Sequence, residues 1–142
     1  MRFALRTLVA VILILSASPS QAGETAAEIT AAVKKIGPVI EPAKTAELFA
    51  PLQKKEPYAG VTVTRDQKYG ADPRNLLDVF QPATADPAPR PILLFVHGGA
   101  FTGGDKHQAG SPFYDNVALW AVANGMIGIN MTYRLAPAHP YP

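Results

Sequence analysis

The residues best suited to chemistry form a glycine-rich segment, His97-Gly-Gly-Ala-Phe-Thr-Gly-Gly-Asp105-Lys-His107. It follows Ile92–Val96, a stretch that is apolar at every position and is typical of a strand buried on both faces of a parallel sheet. Ligands of open α/β sheets bind beyond the carboxyl ends of the strands, which is where this segment begins. Paired glycines allow a tight turn that exposes successive backbone N–H groups, and such donors suit either a phosphate or a tetrahedral oxyanion.

A phosphate site does not fit these residues. No G-x-G-x-x-G register occurs, and although Gly99 and Gly104 have the spacing of a P-loop, Asp105 stands where a P-loop has lysine. A carboxylate at that position repels phosphate, so the sequence favours an oxyanion as the group that the segment binds.

The sequence contains no G-x-S-x-G motif of the kind that carries a hydrolase nucleophile. Outside the first 22 residues the only serine is Ser111, and because Pro112 follows it we expect a helix cap. Ser111, Asp115 and His139 follow the order of a catalytic triad, but nothing in the sequence brings them together. No histidine spacing suits a metal, and no cofactor is implied.

Hydrophobic periodicity predicts the elements that position this segment. Helices are expected over 24–36, 42–52 and 111–124, and strands over 59–65, 76–80, 92–96 and 126–131. The first two strands plausibly pair antiparallel, whereas strand 92–96, its helix and strand 126–131 form a parallel βαβ unit. Apolar side chains expected to face the core of the second and third helices are Leu48, Phe49, Leu52, Phe113, Val117, Trp120 and Ala121.

The first 22 residues have the layout of a secretory signal peptide. Arg2 and Arg6 precede an apolar run over 7–17, and Ser20-Gln-Ala22 predicts cleavage after Ala22. This run is roughly half of the ~20 residues that a membrane span needs, so we expect a periplasmic or secreted product that is free of the membrane. The two arginines account for the net charge of +2, and the other 11 basic residues balance the 11 acidic ones. Charge therefore gives no reason to expect a nucleic-acid partner.

Three motifs, in this order, resemble the α/β-hydrolase esterases and lipases of the hormone-sensitive-lipase and feruloyl-esterase-like groups. They are Tyr69-Gly-Ala-Asp-Pro-Arg-Asn-Leu-Leu-Asp-Val-Phe80, the segment 97–105 and Tyr133-Arg-Leu-Ala-Pro137. The resemblance implies the N-terminal part of an α/β-hydrolase fold. In that fold an antiparallel strand pair leads into a parallel, helix-flanked sheet, and we expect this chain to be truncated before the nucleophile elbow.

The resemblance also implies roles for single residues. The N–H groups of Gly99 and Ala100 match the oxyanion donors, Gly98 matches the residue that allows the turn, and His97 matches a position that braces the loop and is not the catalytic base. Ala100 replaces the third glycine of the HGGG form. Tyr133 and Arg134 match a segment with a structural role.

The resulting hypothesis is an exported serine carboxylic-ester hydrolase that acts on small-molecule esters. Residues 1–22 are the signal peptide, 23–57 an N-terminal helical segment that can contribute to a lid, and 58–142 the N-terminal part of the hydrolase domain. The chain is expected to be inactive alone and to expose an apolar sheet. The alternatives are a peptidase or formamidase on the same scaffold, a non-catalytic α/β binding module, and a small complete domain.

Overall fold

The computed structural model describes residues 19–84 and 87–140, with side chains from residue 26 onward. Most of the predicted signal peptide therefore lies outside the described residues. Contacts divide the chain into two units, Met1–Leu48 and Phe49–Pro142. Among the described residues, no helix combines the length and apolar character that crossing a bilayer requires.

Two helices form the described part of the first unit. Helix α1 spans Pro19–Ile36 and ends at Gly37, whose left-handed backbone (φ 79°) lets its N–H reach the Val33 carbonyl at 3.2 Å. The helix predicted over 24–36 is thus present and begins five residues earlier, because proline is tolerated in a first turn.

The second helix is shorter than predicted. Helix α2 spans Pro42–Phe49, and Ala50–Leu52 continue as a 3₁₀ turn. Pro51 lacks an N–H and disfavours the α conformation of the residue before it, which ends the α-helix. The expectation that Leu52 is buried was wrong, since the tighter turn leaves it 51% exposed.

The second unit is a four-stranded mixed sheet with one helix. Its elements are β1 (Val61–Lys68), β2 (Leu76–Pro82), β3 (Ile92–Val96), α3 (Asp115–Ala123) and β4 (Ile127–Met131). The strand order is β1-β2-β4-β3, with β1 and β4 both antiparallel to β2, and β3 parallel to β4. The predicted antiparallel pair and the predicted parallel βαβ unit are both confirmed.

The face of α3 that meets the sheet differs from the prediction. A Cβ on Gly128 of β4 would lie 2.5 Å from the Ala118 carbonyl oxygen, so helix and strand are in close contact. That approach requires small residues, and the buried apolar residues of α3 are Ala118, Leu119 and Ala121. Trp120 was predicted to be in the core, but it is 57% exposed.

Helix α3 also starts later than predicted. It begins at Asp115, with Tyr114 in the cap position and no side-chain cap. The Ser111 hydroxyl accepts the Phe113 N–H at 3.3 Å, within the turn that precedes the helix. Ser111 therefore stabilises a local turn and does not cap α3.

Strand β3 is not buried on both faces, in contrast to the prediction. It lies at an edge of the described sheet, and one face carries an apolar stripe of Ile92, Leu94 and Val96, which are 64%, 53% and 50% exposed. Helix α3 contacts the sheet, and Leu93 and Phe95 on the other face of β3 are half-buried. The second unit thus exposes an apolar sheet face.

This stripe predicts the dye binding of the chain. Replacing Ile92, Leu94 and Val96 together with threonine keeps residues that favour strands and removes most of the apolar surface of the stripe. We expect fluorescence of the dye anilinonaphthalene sulfonate to fall severalfold relative to the unaltered chain. Leu93→Thr, on the opposite face, serves as the control and should not lower it. Unchanged fluorescence in the triple variant would contradict the assignment of the stripe as the dye-binding surface.

Candidate active site

The glycine-rich segment begins at a buried histidine, His97, whose ring and carbonyl group both contact other parts of the protein. His97 is 2% exposed, and its ring stacks on Tyr133 at 4.4 Å between centroids and 16° between planes. The Tyr133 hydroxyl donates to the His97 carbonyl at 3.0 Å. The Nδ1 atom of His97 lies 2.7 Å from the Gly98 carbonyl oxygen, and because a carbonyl only accepts, Nδ1 carries a proton and donates it there. His97 is therefore committed to contacts within the protein.

The turn itself is built by Gly99 and the two residues after it. Gly99, Ala100 and Phe101 have φ values of 130°, 53° and 60°, whereas Gly98, predicted to allow the turn, is outside the positive-φ region. A Cβ on Gly99 would lie 2.1 Å from the Gly103 carbonyl oxygen, so only glycine fits. Ala100 and Phe101 hold a left-handed backbone that side-chain-bearing residues rarely adopt.

The carbonyl groups of the turn point into the loop. The Gly98 carbonyl accepts the His97 Nδ1 proton, and the Gly99 carbonyl accepts the N–H groups of Thr102 and Gly103 at 3.0 and 3.1 Å. Each carbonyl shares a planar trans peptide with the next residue's N–H, which must point the opposite way. The N–H groups of Gly99 and Ala100 are accordingly directed out of the loop, and neither donates a hydrogen bond to any described residue.

The turn between β1 and β2 fastens both ends of this loop. Arg74 donates from Nε to the Tyr133 carbonyl at 2.8 Å and from Nη2 to the Gly104 carbonyl at 2.9 Å. Its Nη2 also lies 3.5 Å from His97 Nε2, and its Nη1 lies 3.6 Å from an Asp105 carboxylate oxygen. Sequence reasoning gave Arg74 no role, although it lies inside the first of the three motifs.

A buried ionic network, formed by Arg65, Asp78, Lys106 and Asp115, holds the far end of the loop. Lys106 is 5% exposed, and its Nζ lies 3.0 Å from Asp78 Oδ1 and 2.6 Å from Asp66 Oδ1. Arg65 lies on the same partly buried face of β1 as Val61 and Val63, and it contacts both buried carboxylates.

The network shifts the protonation of its members. Burial alone would lower the pKa of Lys106, but hydrogen bonds to Asp66 and Asp78 outweigh it and raise that pKa. The pKa of Arg65 is raised in the same way by its carboxylate partners. Burial, together with the hydrogen bond from its hydroxyl to Asp115 at 2.9 Å, raises the pKa of Tyr58. All three groups therefore favour the protonated form in the folded chain.

The three residues in triad order are not brought together. Ser111 bonds to its neighbour Phe113, Asp115 belongs to the buried ionic network, and His139 Nε2 lies 3.4 Å from Asp72 Oδ2. Across residues 19–84 and 87–140, no group of three or more histidine, aspartate or glutamate side chains could hold a metal ion. The described residues thus leave the N–H groups of Gly99 and Ala100 without acceptors and do not assemble a catalytic triad.

An apolar cavity of about 300 Å³ adjoins the loop at Phe101. Val96 and Met131, at the carboxyl ends of β3 and β4, line it together with Tyr133. Arg134 and His139 supply polar groups to its lining. A small ligand bound at the loop would therefore meet apolar surface on this side.

Comparison with known proteins identifies the family of this segment. Residues 77–142 match the family model described as BD-FAE. Esterase LipC of Mycobacterium tuberculosis is 36% identical over 74 residues, which are 52% of this chain and 17% of that protein. Tuliposide A-converting enzyme b1 of Tulipa gesneriana is 42% identical over 53 residues, 37% of this chain and 13% of that protein. Residues 77–142 thus resemble a segment of the esterase/lipase family of α/β-hydrolases.

The α/β-hydrolase resemblance is thereby confirmed. This chain spans less than a fifth of the length of either relative. Among solved structures, esterase B from Lactobacillus Rhamnosis aligns with a TM-score of 0.47 at 20% identity, covering 84% of this chain and 34% of that one.

The raised pKa of Lys106 predicts how one substitution depends on pH. Lys106→Met leaves the buried Asp78 carboxylate short of one cation, and we expect the free energy of unfolding at pH 7 to fall by about 3 kcal/mol. A lysine whose pKa is raised in the folded state stabilises that state at pH values below its unfolded pKa of about 10.4. This stabilisation is lost as the pH rises through the folded-state pKa. The difference in the free energy of unfolding between the Lys106→Met variant and the unaltered chain should therefore shrink above pH ~10.4.

Urea denaturation at neutral and alkaline pH measures this difference. Lys68→Met, at the exposed end of β1, is the control and should change the stability at pH 7 by no more than about 0.5 kcal/mol. A gap between Lys106→Met and the unaltered chain that stays constant up to pH ~12 would contradict the proposed origin of the stabilisation.

Proposed function

We propose that the protein containing this segment is a serine carboxylic-ester hydrolase and that Gly99 and Ala100 donate two backbone hydrogen bonds to the oxyanion of its tetrahedral intermediate. The observation that carries the proposal is the direction of these two N–H groups. Their partner carbonyls are held inside the loop, and both N–H groups are without acceptors among the described residues. Donors that are fixed before the reaction stabilise developing charge without reorganisation.

In the proposed reaction, a serine hydroxyl attacks the acyl carbon of the ester and the carbonyl oxygen becomes the oxyanion. A histidine base of the complete protein takes the hydroxyl proton during the attack. Collapse of the intermediate breaks the ester C–O bond, the histidine returns the proton to the departing alcohol, and water hydrolyses the resulting serine ester in a second step. The serine belongs to a G-x-S-x-G motif outside these 142 residues, and the residue after it supplies a further N–H donor. His97 braces the loop and does not act as the base. No metal or organic cofactor takes part.

An ester is favoured over an amide as the substrate. The support is that LipC, which is 36% identical to this chain over 74 residues, is named as an esterase. The apolar cavity beside Phe101 suits a small acyl or alkoxy group. A ratio of ester to amide turnover near one would favour the peptidase or formamidase alternative.

We also propose that the protein is exported, with cleavage after Ala22. The support is the sequence layout of positive start, apolar run and small residues before the cleavage position. N-terminal sequencing of the protein recovered from the producing cells should begin at Gly23. A mature chain that begins at Met1 and stays with the cytoplasmic fraction would refute export.

The oxyanion donors predict a selective loss of turnover in Gly99→Ala. The added Cβ collides with the Gly103 carbonyl, so the loop must rearrange and the Gly99 N–H leaves its position. In the protein expressed from the complete reading frame, we expect kcat for p-nitrophenyl acetate to fall about 100–1,000-fold, the effect of losing one donor.

Gly110→Ala is the matched control. Gly110 also has a left-handed backbone, φ 77°, but an added Cβ meets nothing within 4 Å. It carries the same type of backbone strain without a collision in the loop, and kcat should change by no more than about threefold. Equal losses in the two variants would argue against oxyanion donors at 99 and 100.

The location of the nucleophile is tested separately by a serine-directed phosphonate. We expect it to label a serine in a G-x-S-x-G motif of the complete protein, and we expect residues 23–142 alone to be inactive. Labelling of Ser111 would contradict this assignment.

A further inference from the structure

We infer that Arg74 is a positioning residue for the oxyanion loop, acting by selecting the tautomer of His97 that orients the peptide between Gly98 and Gly99. The catalytic consequence rests on the proposed function, whereas the effect on His97 does not. Arg74 touches neither of the two proposed donors, and it acts on them through the histidine.

The guanidinium of Arg74 is placed by a rigid turn. Its own N–H donates to Asp72 Oδ1 at 2.8 Å, and its carbonyl accepts the Thr132 hydroxyl. The hydroxyl of Tyr69 donates to the Thr132 carbonyl at 2.6 Å, which fixes the same turn to the end of β4. Because the backbone is held on both sides, the side chain reaches the loop with little freedom, and 30% of it is exposed.

The contacts of Arg74 join three segments of chain. Its Nε and Nη2 donate to the carbonyls of Tyr133 and Gly104, which places one nitrogen beside the Nε2 atom of His97. Guanidinium has only donors, so an adjacent ring nitrogen is compatible with it only as an acceptor. Arg74 therefore favours the ring form in which Nε2 is unprotonated and Nδ1 carries the proton.

That proton is the one donated to the Gly98 carbonyl. In the other tautomer, Nε2–H would face the N–H of Arg74, and the lone pair of Nδ1 would face the Gly98 oxygen at 2.7 Å. Both contacts would be repulsive, and the peptide between Gly98 and Gly99 would rotate to relieve the second. Since this peptide is planar, its rotation would turn the Gly99 N–H away from the oxyanion.

The tautomer of His97 is measured directly by ¹⁵N spectroscopy of histidine-labelled 142-residue chain, with His97→Gln used to assign its signals. We expect a protonated Nδ1 and an unprotonated Nε2 in the unaltered chain. Arg74→Gln should shift the population toward protonated Nε2 or average the two forms. Arg90→Gln is the matched control, since Arg90 also donates to a glycine carbonyl, that of Gly125 at 3.2 Å, near the opposite end of β3.

Turnover is measured on the protein from the complete reading frame. Arg74→Gln should lower kcat about 10–100-fold, less than the loss of a whole donor, and leave KM within about threefold. Arg74→Lys should recover part of kcat, because an ammonium group also has only donors to present to His97. The recovery should be incomplete, because one ammonium cannot span the carbonyls of Tyr133 and Gly104 together. Arg90→Gln should change neither constant.

The outcomes separate the two proposals. An unchanged His97 spectrum in both Arg74 variants overturns the inference whatever the activity. A changed spectrum with unchanged kcat also overturns it as a positioning role. If the unaltered protein hydrolyses no ester, the proposed function fails, and the spectrum still decides whether Arg74 sets the tautomer. In a further outcome, Arg74→Gln and Arg90→Gln lose melting temperature and activity to the same extent. That result would show that Arg74 has only a structural role, and it would overturn the inference.

Discussion

The buried carboxylates of Asp78 and Asp115 impose the constraint on which the second unit depends. Both are fully buried, and a buried charge is tolerated only when cations and hydrogen bonds compensate its lost hydration. Arg65 forms ion pairs with both carboxylates, and Lys106 forms an ion pair with Asp78. Because these groups come from β1, β2, α3 and the loop after β3, satisfying two charges fixes the sheet, the helix and the far end of the glycine-rich segment relative to one another.

The near end of the same segment is fixed by neutral contacts and by one arginine. His97 is stacked on Tyr133, and Arg74 bonds to both sides of the loop. Between the two anchored ends, Ala100 and Phe101 hold consecutive left-handed conformations, each of which costs a residue with a side chain on the order of 1–2 kcal/mol. Strain of this kind persists only where surrounding contacts hold the backbone in place. Here the contacts at both ends of the segment hold the peptides that are proposed to bind the oxyanion.

The sequence predicted the elements where local pattern decides them and missed the contacts that only the fold creates. Strand β3 could be placed residue for residue, because its apolar run is bounded by proline and the glycine-rich segment. The burial of Lys106 could not be predicted, because its partners Asp66 and Asp78 lie tens of residues earlier in the chain. The exposure of Trp120 could not be predicted either, since Gly128 on β4 decides which face of α3 approaches the sheet. Periodicity placed the loop, whereas only the resemblance singled out Gly99 and Ala100.

In the proposed hydrolase, the peptide geometry separates stabilisation of charge from nucleophilic attack. Every contact that orients the two outward N–H groups is made by residues between Arg74 and Tyr133, so the donor positions do not depend on a serine or on a catalytic base. A loop assembled in this way is already oriented when a nucleophile is brought to it, and no part of the reaction's free energy is needed to turn its dipoles. In the proposed hydrolase, variation in the nucleophile's surroundings would therefore change the acyl or alcohol group that is accepted without disturbing the two N–H donors.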